Sequence, residues 1–149
     1  MVVVRQARLD DGSALAVARA DLWPDATREQ HEAELSEMLT APKASASDIL
    51  VAESREGIVG FVEVNLRSHA DGCDPRHPVV FIEGWYVAPA FRRRGVGRAL
   101  IAAAADWGRA RGCIEMASDT WIDHHVSQRA HEAIGFTVVD RCVHYKKRL

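Results

Sequence analysis

The chain has 149 residues, a length that suits one domain with a single core, residues 1–149. Hydrophobic residues make up 48% and charged residues 27%, which is ordinary for a globular protein in water. The 19 basic and 21 acidic residues give a net charge of -2, whereas a dedicated nucleic-acid-binding domain is strongly basic. We therefore expect a single globular domain without a nucleic-acid partner.

The cysteines and the first residues indicate a compartment. Cys73, Cys113 and Cys142 have no spacing typical of a metal or redox motif, and an odd number fits a reducing environment where thiols stay free. The opening MVVVRQARLDDG lacks a basic segment followed by a long apolar run, and no stretch is long enough to cross a membrane. These features predict a cytoplasmic protein.

A strand and two helices are predicted first along the chain. The three consecutive valines of MVVVRQARL are typical of a strand, after which Asp11 or Ser13 can cap a helix. Pro24 breaks that helix, and Thr27 with Gln30 makes a capping box for a second one. The second helix has an apolar side of Leu35, Met38 and Leu39 and an acidic side, interpreted as a solvated face, of Glu29, Glu32, Glu34 and Glu37.

The rest of the chain predicts mainly strands, with two more helices. ILVAES and GIVGFVEVNLR read as two strands joined by a tight turn, and the Asp-, Gly- and Pro-rich residues 68–78 form a loop. VVFIEGWYV is the strongest strand, and Gly84 inside it indicates a bulge. Beyond it we expect a helix (FRRRGVGRALIAAAADWGRARG), a strand (IEMASD), a helix (HHVSQRAHEAIGF) and two closing strands (TVVD and VHYKKR).

The stretch FRRRGVGRAL, residues 91–100, places three arginines before two glycines at a helix start. A helix N-terminus attracts phosphate through unsatisfied N–H groups, and glycine lets the backbone approach the ligand. The spacing matches neither the Walker loop nor the dinucleotide fingerprint. Taken alone, the pattern leaves open a plain helix start with surface arginines.

Combined with the bulged strand before it and the strand and Gly-Phe-terminated helix after it, this stretch resembles the Gcn5-related N-acetyltransferase (GNAT) superfamily over nearly the whole chain. The segments LWPD, GCD before PVVFIEG, MASDT, SQRAHEAIGF and YKKR are similar to the aminoglycoside 6'-N-acetyltransferases within it. The resemblance implies an α/β (α+β mixed) GNAT fold, with a central mixed twisted sheet, a bulged and splayed strand pair and flanking helices.

The resemblance also implies acetyl-coenzyme A as co-substrate. In this superfamily the arginine–glycine loop holds the cofactor pyrophosphate, and the slot at the bulge takes the pantetheine arm. His124 stands where the subfamily usually has Asn. The implied cofactor residues are Trp85, Tyr86, Val87, Arg92, Arg93, Arg94, Gly95, Val96, Gly97 and His124.

The acceptor implied by the resemblance is an aminoglycoside, a polycation whose pocket needs carboxylates and an aromatic wall. The residues at the family's substrate positions are Trp23, His69, Glu83, Asp119 and Asp140. Each has a structural alternative. Trp23 suits a core aromatic, Asp119 a turn cap and Asp140 a solvated acid at a strand end. His69 suits a surface loop, since the family commonly has Tyr there.

Glu83 and Asp119 are the predicted catalytic residues. A carboxylate beside the thioester, directly or through a water, can accept the proton that the attacking amine must lose, and Glu83 is the preferred base. The alternatives are that Glu83 is a buried strand glutamate that only holds a backbone or arginine partner, or that Glu83 and Asp119 orient the ammonium while water takes the proton. A backbone N–H near Val87 can stabilise the developing oxyanion. His131 stands where many members have Tyr, and either an acid or a packed structural histidine fits it.

Other functions stay open at this stage. The same fold could act on another small amine, such as a polyamine or an amino acid, or on a protein N-terminus. A non-catalytic coenzyme A sensor is a further alternative. We expect no metal site, because His124 and His125 lack ligand partners at suitable spacing. The resemblance also implies a homodimer formed through the C-terminal strands, with VHYKKRL as the candidate edge.

Overall fold

The computed structural model describes residues 1–42 and 45–149. Five strands form one sheet in the order β1-β2-β3-β4-β5; the first three pairings are antiparallel, and β4 runs parallel to β5. The mixed sheet with flanking helices confirms the predicted fold class. The elements are β1 (Val3–Gln6), α1 (Gly12–Leu22), α2 (Arg28–Thr40), β2 (Ser47–Ser54), β3 (Gly57–Arg67), β4 (Val79–Val87), α3 (Val96–Arg109), β5 (Glu115–Ser118) and α4 (His125–Ala133).

The helix boundaries follow the predicted signals, with one exception. α1 ends two residues before Pro24, and Thr27 and Gln30 form a reciprocal capping box, with 3.2 Å from the Gln30 N–H to Thr27 Oγ1 and 2.7 Å from the Thr27 N–H to Gln30 Oε1. The predicted cap of α1 is confirmed in position but not in bonding. Asp11 stands at the N-cap position, but its carboxylate accepts hydrogen bonds from Arg5 and from the Arg8 N–H instead of capping α1.

Each face of the sheet carries its own hydrophobic cluster. On one face α3 contributes Leu100 and Trp107, which pack against Val62 of β3. On the other face α1 and α2 contribute Leu15 and Leu35, which pack with other side chains of the sheet. Two buried layers on one sheet fix its position between the helices, so that both faces of β4 lie next to helices.

The central bulge lies where the sequence indicated it. Glu63 of β3 faces Gly84 of β4 and the next residue, Val64, faces Ile82, so Glu83 is the extra residue on β4. The pairing of β4 with β5 ends at Ile82, one residue before the bulge. From Glu83 onwards, β4 therefore has no neighbouring strand on its β5 side within the described residues.

The two predicted closing strands are not formed. Residues 137–149 have no regular secondary structure, and their apolar side chains Val138, Val139, Val143 and Tyr145 are exposed. The segment passes the loop at 68–78, where a Cβ on Gly72 would lie 2.7 Å from Val139 Cβ, and His144 lies edge-on to Trp121. A β-strand needs a hydrogen-bonding neighbour, and within the described ranges this segment pairs with no strand.

The described ranges contain no helix that is both long enough and apolar enough to cross a bilayer. The three cysteines are free thiols, with Cys113 buried and Cys142 exposed.

Candidate active site

Glu83, the bulge residue, presents its carboxylate on the α1–α2 side of the sheet. Its Oε1 accepts hydrogen bonds from Arg67, at 2.7 Å from Nη2 and 3.2 Å from Nε, and more weakly from Asn65 Nδ2 at 3.5 Å. The Arg67 guanidinium also lies 3.4 Å above the Phe81 ring. Glu83 Oε2 makes no hydrogen bond with any described residue. The carboxylate is thus held by one oxygen and open at the other, and the arginine partner that the sequence left as an alternative is present.

Trp23 closes the bulge from the side of the helices. It follows α1, its ring lies tilted at 6.3 Å from Phe61, and Arg19 stacks over it at 5.0 Å. A Cβ on Gly84 would lie only 2.5 Å from Trp23 Cη2, so the indole rests directly on the strand backbone. Trp23 is therefore packed against aromatic and backbone atoms as the core alternative describes, and its contact with an acceptor stays a prediction.

An open cavity of about 300 Å³ adjoins Glu83 on this face, between α2 and the sheet. Four carboxylates and one guanidinium contribute to its lining. The residues are Arg19, Glu34, Glu37, Met38, Ser47, Glu63, Val64, Asn65 and Glu83. Among the five predicted acceptor residues, only Glu83 lines it.

Arg19 and Glu63 are buried charged residues facing this cavity, with 6% exposed side chains. Arg19 Nε lies 3.1 Å from Glu63 Oε1, but the contact lacks hydrogen-bond geometry, and Arg19 Nη2 bonds Glu34 at 2.6 Å. Burial raises the pKa of Glu63 to about 7; the Arg19 charge opposes this increase, and Glu34 and Glu83 add to it. Arg19 Nη1 has no hydrogen-bond partner in the described chain.

The other predicted acceptor residues lie outside the cavity. Asp119 follows β5 and is exposed, and its carboxylate makes no hydrogen bond with described residues, so the turn-cap alternative lacks its bond. His69 is exposed in the loop after β3. Asp140 is exposed and accepts a bond from the Arg141 N–H at 2.7 Å, in a segment that forms no strand. The acidic residues nearest Glu83 therefore differ from those predicted.

The arginine–glycine stretch forms a left-handed loop at the start of α3. Gly95 is the N-cap with φ +81°, and Arg93 has φ +60°, a conformation that non-glycine residues rarely adopt. Arg92, Arg93 and Arg94 are exposed. Left-handed residues at a helix start turn successive N–H groups toward one side, which is the geometry of an anion-binding nest. Gly97 allows close packing, because a Cβ there would lie 2.9 Å from Trp85 Cζ2.

The strand end beside this loop carries Trp85, Tyr86 and Val87. The Tyr86 hydroxyl donates to Asp21 at 2.8 Å, and desolvation, followed by this bond, raises the Tyr86 pKa. The Val87 carbonyl accepts from Arg92 Nε at 2.8 Å, which fixes the loop to the strand. The backbone of this strand end is available on the β5 side, because β5 has already diverged.

His131 is held inside the structure by both ring nitrogens. Its Nδ1 donates to the Ser127 carbonyl at 2.7 Å, which leaves Nε2 to accept from the Ser118 hydroxyl at 2.8 Å in the neutral ring. The ring lies edge-on to Trp85 and Phe136. These contacts describe a packed structural histidine. His124 is the exposed N-cap residue of α4 and makes no side-chain capping bond.

The sequence analysis missed Arg19, Glu63 and Arg67 as site residues. Glu63 carried a readable signal, because a single acid between Val62 and Val64 in a buried strand demands a partner. The partnership of Arg19 with Glu63 joins positions distant in the chain, so only the fold reveals it. No group of three His, Cys, Asp or Glu side chains in the described ranges is arranged to hold a metal ion.

Comparison with known proteins identifies a family and close relatives. Residues 15–136 match the model of the acetyltransferase (GNAT) family. An aminoglycoside N(6')-acetyltransferase type 1 of Klebsiella aerogenes is 40% identical, covering 99% of this chain and 97% of the relative, and one of Salmonella typhimurium is 43% identical, covering 87% and 88%. The structure of AAC(6')-Iy in complex with the bisubstrate analog CoA-S-monomethyl-acetylneamine superposes with a TM-score of 0.89 at 37% identity, covering 100% and 99% of the two chains.

Proposed function

The chain belongs to the GNAT acetyltransferase family, and we propose that it transfers an acetyl group from acetyl-coenzyme A to the 6'-amino group of aminoglycosides, conferring resistance to them. The observation that carries the proposal is the acidic cavity beside Glu83, at the bulge where β4 leaves β5. The relatives named as aminoglycoside 6'-acetyltransferases, and the bisubstrate analog bound to one of them, support it.

The residues at the start of α3 fit acetyl-coenzyme A, which supplies the acetyl group as a thioester. Arg93 and Gly95 create the left-handed turn, and the N–H groups from Gly95 to Gly97 would hold the pyrophosphate with charge from the neighbouring arginines. The free edge of β4 from Trp85 to Val87 would bond the amide groups of the pantetheine arm as a strand would. His124, at the N-terminus of α4, would contribute one further hydrogen bond.

The acceptor would lie on the opposite side of β4, against Trp23 and Glu83. Aminoglycoside ammonium groups need carboxylates, and Trp23 offers an indole beside the bulge for a sugar face. Asp119, His69 and Asp140 are exposed and lie outside the cavity lining, and they would contact parts of the acceptor that extend beyond it. Glu83 is the proposed residue closest to the reacting amine.

Glu83 would act as general base. Arg67 holds Oε1 and leaves Oε2 to accept the proton that the amine loses as its nitrogen bonds to the acetyl carbon and the thiolate leaves. Asp119 would orient the ammonium before this step. A backbone N–H near Val87 would donate to the developing oxyanion.

Thiol release with the purified protein tests this function. Kanamycin should release coenzyme A thiol, whereas its counterpart with a 6'-hydroxyl should not. Glu83→Gln should lower kcat for kanamycin about 100-fold or more, as expected for loss of a general base, without weakening acetyl-coenzyme A binding. Glu56→Gln, in the exposed turn between β2 and β3, is the matched control. Absence of turnover with every 6'-amino aminoglycoside would overturn the proposal.

We further infer that the enzyme is a cytoplasmic homodimer in which residues 137–149 of one copy pair with the second copy. These residues expose Val143 and Tyr145, and they lack a strand neighbour in the single chain. Three free thiols fit the reducing cytoplasm. The double variant Val143→Glu, Tyr145→Glu should elute as a monomer while wild type elutes as a dimer. A monomeric wild type would refute the assembly.

A further inference from the structure

His31 is a titratable side chain that the proposed reaction does not use, and it lies inside the protein. It belongs to the first turn of α2, on the same helix face as Leu35, and only 1% of it is exposed. Its Nε2 lies 3.1 Å from the carbonyl oxygen of Trp23. Because a carbonyl only accepts hydrogen bonds, Nε2 must carry a hydrogen and donate it to Trp23.

The other ring nitrogen of His31 lacks such a contact. Nδ1 is buried and forms no hydrogen bond with any residue that the structure describes. A buried polar atom left unpaired costs about as much stability as one neutral hydrogen bond provides, or more. The histidine therefore adds little net stability compared with an apolar side chain of similar volume, and its bond to Trp23 calls for an explanation other than stability.

The bond from His31 fixes the second of the two peptide groups that flank Trp23. The Trp23 N–H donates to the Arg19 carbonyl at 2.7 Å, and the Trp23 carbonyl accepts from His31 and, at 3.4 Å, from the Ala26 N–H. Between these bonds Trp23 has φ -126° and ψ 75°, outside the helical region that the following proline disfavours. With both peptide groups held, the direction of the Trp23 Cα–Cβ bond is fixed. The indole then lies on the β4 backbone, where a Cβ on Gly84 would be 2.5 Å from Cη2.

We propose that His31 is a positioning residue for the acceptor: its Nε2–H holds the Trp23 carbonyl so that the indole stays against the bulge, next to Glu83. This inference rests on the proposed function, in which Trp23 lies against a sugar face of the aminoglycoside. His31 is too deeply buried to touch either substrate. It acts through Trp23, on the binding of the acceptor and not on acetyl transfer or the binding of acetyl-coenzyme A.

Steady-state kinetics with kanamycin and acetyl-coenzyme A test this role. His31→Met removes the donor and keeps the volume, so it should raise the KM for kanamycin about 3- to 10-fold, the factor that corresponds to one neutral hydrogen bond. The kcat and the KM for acetyl-coenzyme A should stay within about twofold of wild type. The same variant should melt within about 4 °C of wild type, because the unpaired Nδ1 is lost together with the donor.

Two variants separate the hydrogen bond from the packing. His31→Gln keeps a side-chain N–H at a reach similar to that of Nε2 and should restore the KM for kanamycin to within about twofold of wild type. Leu35→Met is the matched control, since it places methionine one turn further along the same buried face of α2 without removing a hydrogen bond. It should leave the KM unchanged. If His31→Met does not fold, His31→Asn replaces it, because the shorter amide cannot reach the Trp23 carbonyl.

Fluorine NMR of protein labelled with fluorotryptophan tests the positioning without turnover. The chain has four tryptophans, and the signal that disappears in Trp23→Phe belongs to Trp23. His31→Met should shift this signal, and His31→Gln should leave it near its wild-type position. An unmoved Trp23 signal in His31→Met would overturn the proposal, as would a lower Tm with an unchanged KM for kanamycin, the result for a merely structural histidine. If wild type fails to acetylate kanamycin, the proposed function itself fails, and the Trp23 signal alone then decides whether His31 positions the indole.

Discussion

Gly84→Ala tests the contact between the bulge of β4 and Trp23, the aromatic residue proposed to lie against the acceptor. A Cβ at this position would lie 2.5 Å from Trp23 Cη2 and 2.6 Å from Cζ2. Carbon atoms in contact prefer about 3.5–4.0 Å, so the indole or the strand must move by roughly 1 Å. Inserting a methyl group into such a site costs about 1–3 kcal/mol of unfolding free energy, which lowers Tm by roughly 2 to 12 °C for a chain of this size.

A double-mutant cycle separates this clash from other effects of the alanine. Trp23→Phe removes the outer ring atoms Cη2 and Cζ2, so Gly84→Ala should cost less than about 1 kcal/mol in the Trp23→Phe background. Urea unfolding of the four proteins measures the coupling. In the parent that keeps Trp23, the displaced indole should also raise the KM for the acceptor, because Trp23 would no longer lie against the strand.

Gly12→Ala is the matched control for the cycle. A Cβ at Gly12 would meet Leu39 Cδ1 at 3.7 Å, an ordinary contact, and the residue begins α1 with helical φ and ψ. This substitution should leave stability unchanged or slightly higher, since alanine restricts the unfolded chain more than glycine does. Equal costs of Gly84→Ala in the wild-type and Trp23→Phe backgrounds would refute the argument that the indole limits residue 84.

Two further predictions concern stability. Glu63 stays protonated in the folded protein up to about pH 7 but ionises near 4.5 when unfolded, so the stabilisation it provides is complete below about pH 4.5 and lost as the pH rises to about 7. The Tm of wild type relative to Glu63→Gln should therefore fall from pH 5 to pH 7 in thermal melts; a constant difference would contradict the raised pKa. Thr27→Ala should cost about 0.5–2 kcal/mol in urea unfolding by removing the acceptor for the Gln30 N–H, whereas Thr27→Ser should cost little; equal loss in both would count against the capping box.

The sequence predicted those parts of the fold that depend on local chemistry. Pro24 and the pair Thr27–Gln30 define helix boundaries through backbone bonds within a few residues, and Gly84 marks the bulge because no side chain fits beside Trp23. The prediction of two C-terminal strands was wrong because strand formation depends on pairing with a distant part of the chain. The β-branched and aromatic residues of TVVD and VHYKKR favour a strand, but a strand forms only where it pairs with another, and this segment pairs with none in the described ranges.

The predicted site residues divide in the same way, into a local motif that the sequence indicated and a long-range arrangement that it did not. The loop at Arg93–Gly97 is a local motif that the sequence placed at a helix start, whereas its left-handed residues, Arg93 and Gly95, are known only from the structure. The acidic acceptor region depends on which carboxylates the fold brings together, and four of the five predicted residues do not line the cavity. Glu34 lay on a helix face that the sequence assigned to solvent. It is exposed as predicted, with 59% of its side chain accessible, and it also bonds the buried Arg19, a contact that only the fold reveals.

The bulge changes the two-residue alternation of side chains along β4. This change relates the proposed cofactor site to the proposed acceptor site. Before it, Val80 and Ile82 face α3, and after it Trp85 and Val87 do, so the step between the two pairs is three residues instead of two. That extra residue is Glu83, whose carboxylate faces the acidic cavity on the other side of the sheet. One inserted residue thus supplies a carboxylate to the acceptor side at the point where the β5 side of the strand becomes free. A thioester on the free edge and an amine in the cavity would then meet at residue 83, without requiring either ligand to cross the sheet.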